Sequence, residues 1–267
     1  MLTKDLPVFE FHQGTEPLLI SMPHSGTQVP ADIAAGFTAQ GLVLADTDWH
    51  IPCLYEHAKA LGASILQANY SRYVVDMNRP PNNASLYPGQ SVPGLCPVDT
   101  FHDEPIYQSG KAPSEAEIEQ RKQLFWQPYH QQIERELQRL KSLFGCAVLW
   151  DAHSIRSHVP RFFEGKLPDL NFGTDGGRTC DLGLMQELSN LAASQPFTHV
   201  VNGRFKGGYI TRHYGQPEMG IHAVQLEMAQ SCYMDEQAFA YLPDKAEQIQ
   251  PLITRLLEAA IRFARSA

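Results

Sequence analysis

Residues 146–154 read CAVLWDAHS, a short apolar run that ends in a polar cluster. An apolar run of this length is typical of a buried strand. Residues 18–26 repeat the pattern, because LLISM is followed there by PHSG. A third apolar run, residues 221–228, contains Glu227 near its end. The three segments predict strands of an α/β sheet, and ligands of such sheets bind beyond the carboxyl ends of the strands.

Segments with helical periodicity alternate with apolar runs of strand length. The predicted helices comprise residues 47–61, 114–144, 181–193 and 248–264. The predicted strands comprise residues 18–22, 64–68, 73–77, 146–150, 198–201 and 221–228. Ser114 and Glu117 form a capping box at the start of a long helix, and Pro128 predicts a kink in it. Residues 80–113 hold many Pro, Gly and Asn residues and predict a long loop of functional importance or high mobility.

Neither an internal repeat nor a linker divides the 267 residues. The alternating elements therefore predict one α/β domain over residues 1–267. Its expected architecture is a three-layer sandwich, with helices on both faces of a central mixed, mostly parallel sheet. A domain of roughly 300 residues buries about three quarters of its unfolded surface, so the core needs neither a disulfide nor a structural metal. A bound metal would be available for chemistry.

Composition narrows the classes of partner. The chain has 21 Lys and Arg residues against 29 Asp and Glu residues, a formal charge of −8, which argues against nucleic acid as a partner. Apolar runs are much shorter than the about 20 residues of a membrane span, and residues 1–11 do not resemble a signal peptide. Five scattered cysteines without a C-x-x-C pair indicate reduced thiols. We expect a cytoplasmic protein without a membrane partner, and no pattern specifies its oligomeric state.

The polar strand ends predict a metal site. His24 and His153 follow two of the predicted strands, and Glu227 lies near the end of a third. Two imidazoles and one carboxylate that leave an open position are a standard catalytic zinc set, so we expect one divalent metal ion, with zinc preferred. The candidates for the carboxylate ligand are Asp46 and Asp48, and His50 of the same segment is a rival of lower rank. Capping of the following helix is the alternative role for either aspartate.

Glu227 lies among apolar residues, where an isolated carboxylate is costly to bury. If it faces the metal, its expected role is that of the general base that takes a proton from water. A buried salt bridge and a solvated strand end are the alternatives.

Basic residues accompany Asn, Gly and Tyr residues at the ends of predicted elements. Arg72 and the pair Asn78-Arg79 flank residues 73–77. A second group, around Gly207 and Gly208, comprises Arg204, Lys206, Tyr209, Arg212 and His213. Guanidinium groups bind carboxylates through paired hydrogen bonds, so two separated basic groups suit a small dianionic substrate. The residues expected to bind it are Asn78, Arg79, Tyr209, Arg212 and His213, with surface ion pairs and a simple turn as the alternatives.

Six motifs, taken together, resemble one known family. In chain order they are PHSG, DTDWH with CLY, SRYVVDMNRP, DAHSI, GRFKGGYITRHYG and HAVQLEMAQ with YMDE, and they run from residue 23 to residue 236. This set is similar to the N-formylglutamate amidohydrolase, or N-formylglutamate deformylase, family. The resemblance implies a fold like that of the zinc carboxypeptidases. It also implies hydrolysis of N-formyl-L-glutamate to L-glutamate and formate, a step of histidine degradation.

The resemblance further implies individual roles. The matching positions are His24 and His153 for the metal, Glu227 for the general base, and Arg72, Asn78 and Arg79 for the substrate. Arg72 is expected to stabilise the tetrahedral oxyanion. Related enzymes with an H-x-x-E motif have their acidic ligand three residues after the first His, where this chain has Thr27. Asp48 is expected to replace that ligand.

Two other functions fit the same residues. One is hydrolysis of a different N-acyl amino acid, since a change in the acyl pocket is worth only about 1–3 kcal/mol. The other is a non-catalytic anion-binding module in which His24 and His153 are structural.

Overall fold

A seven-stranded sheet lies at the centre of the protein. In the computed structural model, which describes residues 6–84 and 93–267, the sheet consists of β1 (Phe9–His12), β2 (Leu18–Met22), β3 (Ser64–Ala68), β4 (Ala147–Ile155), β5 (Leu170–Gly173), β6 (His199–Val201) and β7 (Ile221–Ala229). The strand order is β1-β3-β2-β4-β7-β5-β6. Neighbours pair in parallel at β3-β2, β2-β4, β4-β7 and β5-β6, and antiparallel at β1-β3 and β5-β7. The sheet is therefore mixed and mostly parallel, as predicted.

Helices surround this sheet. They are α1 (Ala31–Ala34), α2 (Ala39–Val43), α3 (Ile51–Leu54), α4 (Glu115–Arg121), α5 (Gln127–Phe144), α6 (Leu182–Ala193), α7 (Tyr209–Tyr214) and α8 (Pro243–Ser266). A small separate hairpin pairs β8 (Met234–Asp235) with β9 (Ala240–Tyr241). Within residues 6–84 and 93–267, no helix has both the length and the apolar character to cross a membrane.

Both faces of the sheet are buried. Leu18 and Ile20 of β2 belong to a core cluster with Leu256 of α8, whereas Leu19 belongs to a second cluster with Ile133 of α5. The sides alternate because successive side chains of a strand point to opposite faces. Helices α6 and α8 contribute to the first cluster and α5 to the second. This arrangement of helix, sheet and helix confirms the predicted α/β class and its three layers.

The helix predicted over residues 114–144 is interrupted. Oγ of Ser114 accepts a hydrogen bond from the N–H of Glu117, as a capping box requires, and α4 begins at the next residue. A π-helical turn at Lys122–Trp126 then separates α4 from α5. Pro128 is the second residue after this turn and has no N–H to donate to the preceding turn. The sequence predicted a kink at Pro128, and the structure has a π-helical turn shortly before it.

Two predicted elements differ in the structure. The helix predicted over residues 47–61 is shorter, because His50 adopts a left-handed conformation with a φ of 62° and α3 begins only at Ile51. A 3₁₀ turn at Glu56–Lys59 follows α3. The strand predicted over residues 73–77 is wrong, because these residues form turns and irregular backbone. The apolar pattern misled the prediction there, since these side chains are buried without joining the sheet.

Several short elements were not predicted from the sequence, among them β1, β5 and α7. The long loop predicted over residues 80–113 contains neither helix nor extended strand in its described parts, 80–84 and 93–113. Residues 85–92 of that loop lie outside the described residues.

Candidate active site

Three adjacent strands carry polar side chains to the same edge of the sheet. β2 and β7 both pair in parallel with β4, one on each side of it. His24 follows the end of β2, and His153 lies near the end of β4. The register of the sheet places Glu227 of β7 directly beside His153. The structure thus brings together the three strand-end residues that the sequence predicted, because parallel strands end at a common edge.

Asp48 joins this cluster from the segment before α3. Its main-chain N–H donates to the carbonyl oxygen of His24 at 3.0 Å. Its Oδ2 lies 3.0 Å from Nδ1 of His153 and 3.7 Å from Nδ1 of His24. Potential ligand atoms of these three buried residues lie within 4.8 Å of one another. Two imidazoles and one carboxylate form a donor set that suits a divalent cation such as zinc.

Nε2 of each imidazole, the ring nitrogen that is farther from Asp48, lies close to another carboxylate. Nε2 of His24 lies 2.7 Å from Oδ1 of Asp76, and Nε2 of His153 lies 3.2 Å from Oδ2 of Asp151. Because a carboxylate only accepts hydrogen bonds, the proton of a neutral His24 belongs on Nε2, and its Nδ1 lone pair faces the cluster. His153 has a carboxylate near each of its two ring nitrogens. Metal-binding histidines are commonly oriented by carboxylates in this way. Arg72 also donates to Asp76, at 2.8 Å.

The two imidazoles differ in their affinity for a proton. Burial lowers the pKa of His153, but the carboxylates of Asp151 and Asp48 outweigh burial and raise it well above its usual value. For His24, burial and then the charge of Arg72 lower the pKa. The carboxylates around His153 therefore favour positive charge at its imidazole. A metal ion at the same position would compensate the same negative charge.

The two rival candidates for the third ligand have other partners. Oδ2 of Asp46 accepts a hydrogen bond from the hydroxyl of Tyr73 at 2.7 Å. Nε2 of His50 lies 2.8 Å from the carbonyl oxygen of Phe239. Asp48 is the candidate that the structure brings to the two imidazoles.

Glu227 is buried beside the cluster. Its Oε2 accepts a hydrogen bond from Nε2 of Gln225 at 3.2 Å. Burial raises the pKa of Glu227 to about 8, although the charge of His153 acts in the opposite direction. A carboxyl group with a raised pKa at a cavity is suited to transfer protons near neutral pH.

A cavity of about 600 Å³, including its open mouth, adjoins the cluster. Its polar and charged lining includes His24, Arg72, Asn78, Arg79, His153, Arg204, Gln225 and Glu227. Two of the guanidinium groups lie over aromatic rings that also line the cavity, Arg72 over Phe101 at 4.8 Å and Arg204 over Phe205 at 5.4 Å. Three guanidinium groups make the cavity lining cationic although the chain as a whole carries a charge of −8.

The sequence matches the model of the N-formylglutamate amidohydrolase family over residues 16–234, a range that includes the whole cluster. The chain belongs to this family. The N-formylglutamate deformylase of Pseudomonas aeruginosa is 53% identical over 260 residues, which cover 97% of each chain. The N-formylglutamate deformylase of Pseudomonas putida is 50% identical over 258 residues, which cover 96% of each chain.

Solved structures of two further proteins share the fold. The N-formylglutamate amidohydrolase of Ralstonia eutropha matches with a TM-score of 0.79 and 23% identity, and the match covers 97% of each chain. A gene product of Agrobacterium tumefaciens matches with a TM-score of 0.71 and 18% identity, over 94% of this chain and 95% of that one. The sheet and its flanking helices are therefore the fold of the N-formylglutamate amidohydrolases.

The substrate-binding residues that the sequence predicted fall into two groups. Asn78 and Arg79 line the cavity. Three residues of α7 are not among the lining residues: Tyr209, Arg212 and His213. Arg212 pairs with Oδ1 of Asp175 at 2.9 Å, and the rings of Tyr209 and His213 stack with their centroids 4.8 Å apart.

Other site residues were not selected from the sequence. Arg204 belongs to the second basic group of the sequence, and its position beside Gly-rich residues was the available signal. Asp151 precedes His153 by two residues, so the period of a strand puts both on the same face of the sheet. Asp76 lies two residues before Asn78. No sequence pattern around Asp76 indicated its contact with His24.

Proposed function

We propose that the protein hydrolyses N-formyl-L-glutamate to L-glutamate and formate with the help of one divalent metal ion, with zinc expected. The observation that carries this proposal is the buried cluster of His24, Asp48 and His153 beside a cavity with a cationic wall. Membership of the family and relatives named N-formylglutamate deformylase support the substrate. An ion held by these three residues would supply Lewis acidity, which acidifies water and polarises a carbonyl group.

Glu227 is the proposed general base. It takes a proton from the attacking water as the new C–O bond forms at the formyl carbon. It then gives this proton to the nitrogen of glutamate as the C–N bond breaks. Its burial beside His153 and its pKa of about 8 support both steps, because such a group gains and loses protons near neutral pH.

Arg72 is proposed to stabilise the tetrahedral oxyanion. Its guanidinium group lines the cavity and lies close to Asp48 and Asp76. Contacts with these two carboxylates hold the guanidinium in one orientation before the reaction. A donor oriented in advance stabilises developing charge without a reorganisation cost.

The two carboxylates of the substrate are proposed to bind Arg79, with Asn78, and Arg204. Both guanidinium groups line the cavity. Nε of Arg79 donates to the carbonyl oxygen of Pro93 at 3.0 Å, and Nε of Arg204 donates to that of Phe162 at 2.5 Å. These hydrogen bonds hold each guanidinium group through its Nε. Each carboxylate of a dianion would then meet one guanidinium group.

We further propose that residues 1–267 form a single domain, that the protein is cytoplasmic and that it acts in histidine degradation. One sheet uses strands between residues 9 and 229, and α8 packs on it through the buried Ala264, which supports the single domain. The resemblance to N-formylglutamate deformylases supports the pathway.

The proposal is tested by measuring formate release from N-formyl-L-glutamate by the purified protein. Wild type should release formate stoichiometrically, lose this activity on chelation and regain it with added zinc. N-acetyl- and N-succinyl-L-glutamate, at equal metal content, should be hydrolysed with a kcat/KM at least about tenfold lower. A faster reaction with the acetyl or succinyl compound would indicate a different deacylase. Binding of anions without any hydrolysis would indicate a binding module.

Arg204 and Arg212 make opposite predictions for substrate binding. Arg204→Ala should raise KM about tenfold or more with a smaller change in kcat, because it removes one charge-assisted contact with a carboxylate. Arg212→Ala should change KM less than about threefold, since Arg212 pairs with Asp175 outside the cavity lining. Steady-state kinetics of both variants decide the matter. A large rise in KM for Arg212→Ala alone would return the second carboxylate to Arg212.

A further inference from the structure

The main chain on both sides of Asn78 is held by side chains of one helical segment. The carbonyl oxygen of Met77 lies 2.8 Å from Nε2 of His130. The carbonyl oxygen of Arg79 accepts a hydrogen bond from Nε1 of Trp126 at 3.0 Å. Trp126 ends the π-helical turn and His130 lies in the first turns of α5. The peptide group before Asn78 and the peptide group after Arg79 are therefore both fixed from outside the cavity.

The contact made by His130 is directional. A carbonyl oxygen only accepts, so Nε2 of His130 must donate to Met77. Burial lowers the pKa of His130 to about 3, which keeps the ring neutral and leaves Nδ1 as an acceptor. The hydroxyl of Tyr214 on α7 lies 2.9 Å from that Nδ1. The ring also stacks on Trp126, with centroids 3.7 Å apart and an angle of 23° between the planes.

Helix α7 holds Asn78 from the opposite side. Oδ1 of Asn78 accepts a hydrogen bond from the N–H of Ile210 at 2.8 Å. Its Nδ2 donates to Oδ2 of Asp151 at 3.2 Å. A Cβ atom on Gly208 would lie 2.4 Å from Nδ2 of Asn78, so only glycine permits this approach without a shift. Asn78 is thus enclosed between two helices that His130 and Tyr214 link directly.

The π-helical turn explains how one segment reaches both carbonyl groups. In a regular α-helix each residue turns by about 100°, so one extra residue in a turn rotates every later side chain relative to the earlier helix. Without the turn at Lys122–Trp126, Trp126 and His130 would not keep their present direction relative to α4. Turns of this type occur frequently at functional sites.

We infer that Trp126 and His130 are positioning residues that hold the backbone of Asn78 and Arg79 in the cavity wall. The inference rests on the proposed function in one respect, namely that Arg79 binds a carboxylate of the substrate. Neither ring lines the cavity, so both act through the segment that they hold.

Trp126→Phe removes the indole donor and keeps an aromatic ring, and His130→Phe does the same for the imidazole. Each should raise KM for N-formyl-L-glutamate about five- to twentyfold with a smaller change in kcat, because both rings bond to the main chain that carries Arg79 and neither contacts a metal-binding residue directly. Tyr129→Phe is the matched control. Tyr129 lies on the same helix, and its hydroxyl donates to the carbonyl oxygen of Leu66, at 3.3 Å, away from the cavity lining. Its KM should stay within about twofold of wild type.

A double-mutant cycle separates positioning from general destabilisation. In the Arg79→Ala background, Trp126→Phe should raise KM by less than about twofold, because the side chain that it positions is already absent. Equal effects of Trp126→Phe in both backgrounds would overturn the inference.

Backbone hydrogen exchange gives a readout that needs no substrate. The N–H of Asn78, which donates to Oδ1 of Asp76 at 2.8 Å, should exchange about tenfold faster in Trp126→Phe and His130→Phe than in wild type or Tyr129→Phe. Unchanged exchange in both variants would overturn the inference even if the enzyme is active. If the wild-type protein shows no deformylase activity but exchange is faster in these two variants, the proposed substrate is refuted. The positioning role of Trp126 and His130 would still stand.

Discussion

Glu227→Gln is expected to lower kcat for formate release by about 10²- to 10⁴-fold, the usual contribution of a general acid or base. Gln has nearly the same size and accepts the hydrogen bond that Gln225 donates to Glu227, so the wall of the cavity should keep its shape. It lacks the ability to take a proton from water. Measured KM should change little, because the carboxyl group of Glu227 is assigned to the reaction and not to binding.

Glu136→Gln is the matched control for this substitution. Glu136 is also buried, and it accepts hydrogen bonds from Ser64 and Arg139 outside the cavity lining. Its loss should alter stability and leave kcat within about threefold of wild type. Metal content should equal that of wild type in both variants. Formate release near the wild-type rate by metal-loaded Glu227→Gln would refute the assignment of the base.

The pH dependence of kcat/KM provides a second test of the role of Glu227. A base must be deprotonated to act, so wild-type kcat/KM should rise with pH as Glu227 loses its proton. Burial raises the pKa of Glu227 to about 8, and a cation bound beside it would move this limb of the pH profile to lower pH. The residual activity of Glu227→Gln should lack the limb.

The strand ends of the site were predictable because they depend on local pattern and one general rule. An apolar run followed by a polar cluster marks where a strand leaves the core, and parallel strands end at the same edge. His24, His153 and Glu227 needed no knowledge of tertiary contacts beyond that rule. The pairing of β4 with β7 adds only the register that sets His153 beside Glu227.

The choice between Asp46 and Asp48 was beyond local pattern. The two residues are separated by one position, and both are buried. Contacts with distant residues distinguish them. The main-chain N–H of Asp48 is hydrogen-bonded to the carbonyl oxygen of His24, whereas the carboxylate of Asp46 is hydrogen-bonded to Tyr73. A sequence pattern carries no information about which of two neighbouring carboxylates meets a residue that lies more than twenty positions away.

The same reason applies to the arginines and to the turn at residues 73–77. Arg204 and Arg212 belong to one basic group, and their directions depend on the loop that contains Gly207, whose φ is 106°. Four of the residues 73–77 are apolar and lie in the same buried cluster as residues of α5, and a sequence pattern cannot distinguish this burial from that of a strand. Tertiary burial, rather than sheet formation, selected their side chains.

The charges around the two imidazoles bear on the metal. Three buried carboxylates, those of Asp48, Asp76 and Asp151, surround them. Arg72 pairs with Asp76 at 2.8 Å, whereas Oδ1 of Asp151 has no hydrogen-bond partner among the described residues. Buried charge of one sign is costly unless it is compensated. The raised pKa of His153 expresses this demand for positive charge, which a divalent ion would meet at the same place.

Asp48→Asn and Asp46→Asn therefore form a decisive pair. Asp48→Asn should weaken zinc binding about 100-fold or more and abolish zinc-dependent formate release at metal concentrations that saturate wild type, because it removes the charged ligand of the cluster. Asp46→Asn should bind zinc with the wild-type stoichiometry, since its side chain is bonded to Tyr73 and Phe101 instead. Titration with zinc, metal analysis and thermal unfolding measure these effects. A ligand that binds only the folded state raises the unfolding temperature. Zinc should therefore raise the unfolding temperature of wild type and of Asp46→Asn. At the same zinc concentration, the unfolding temperature of Asp48→Asn should not change. The opposite result, with zinc bound by Asp48→Asn and lost from Asp46→Asn, would assign the third ligand to Asp46.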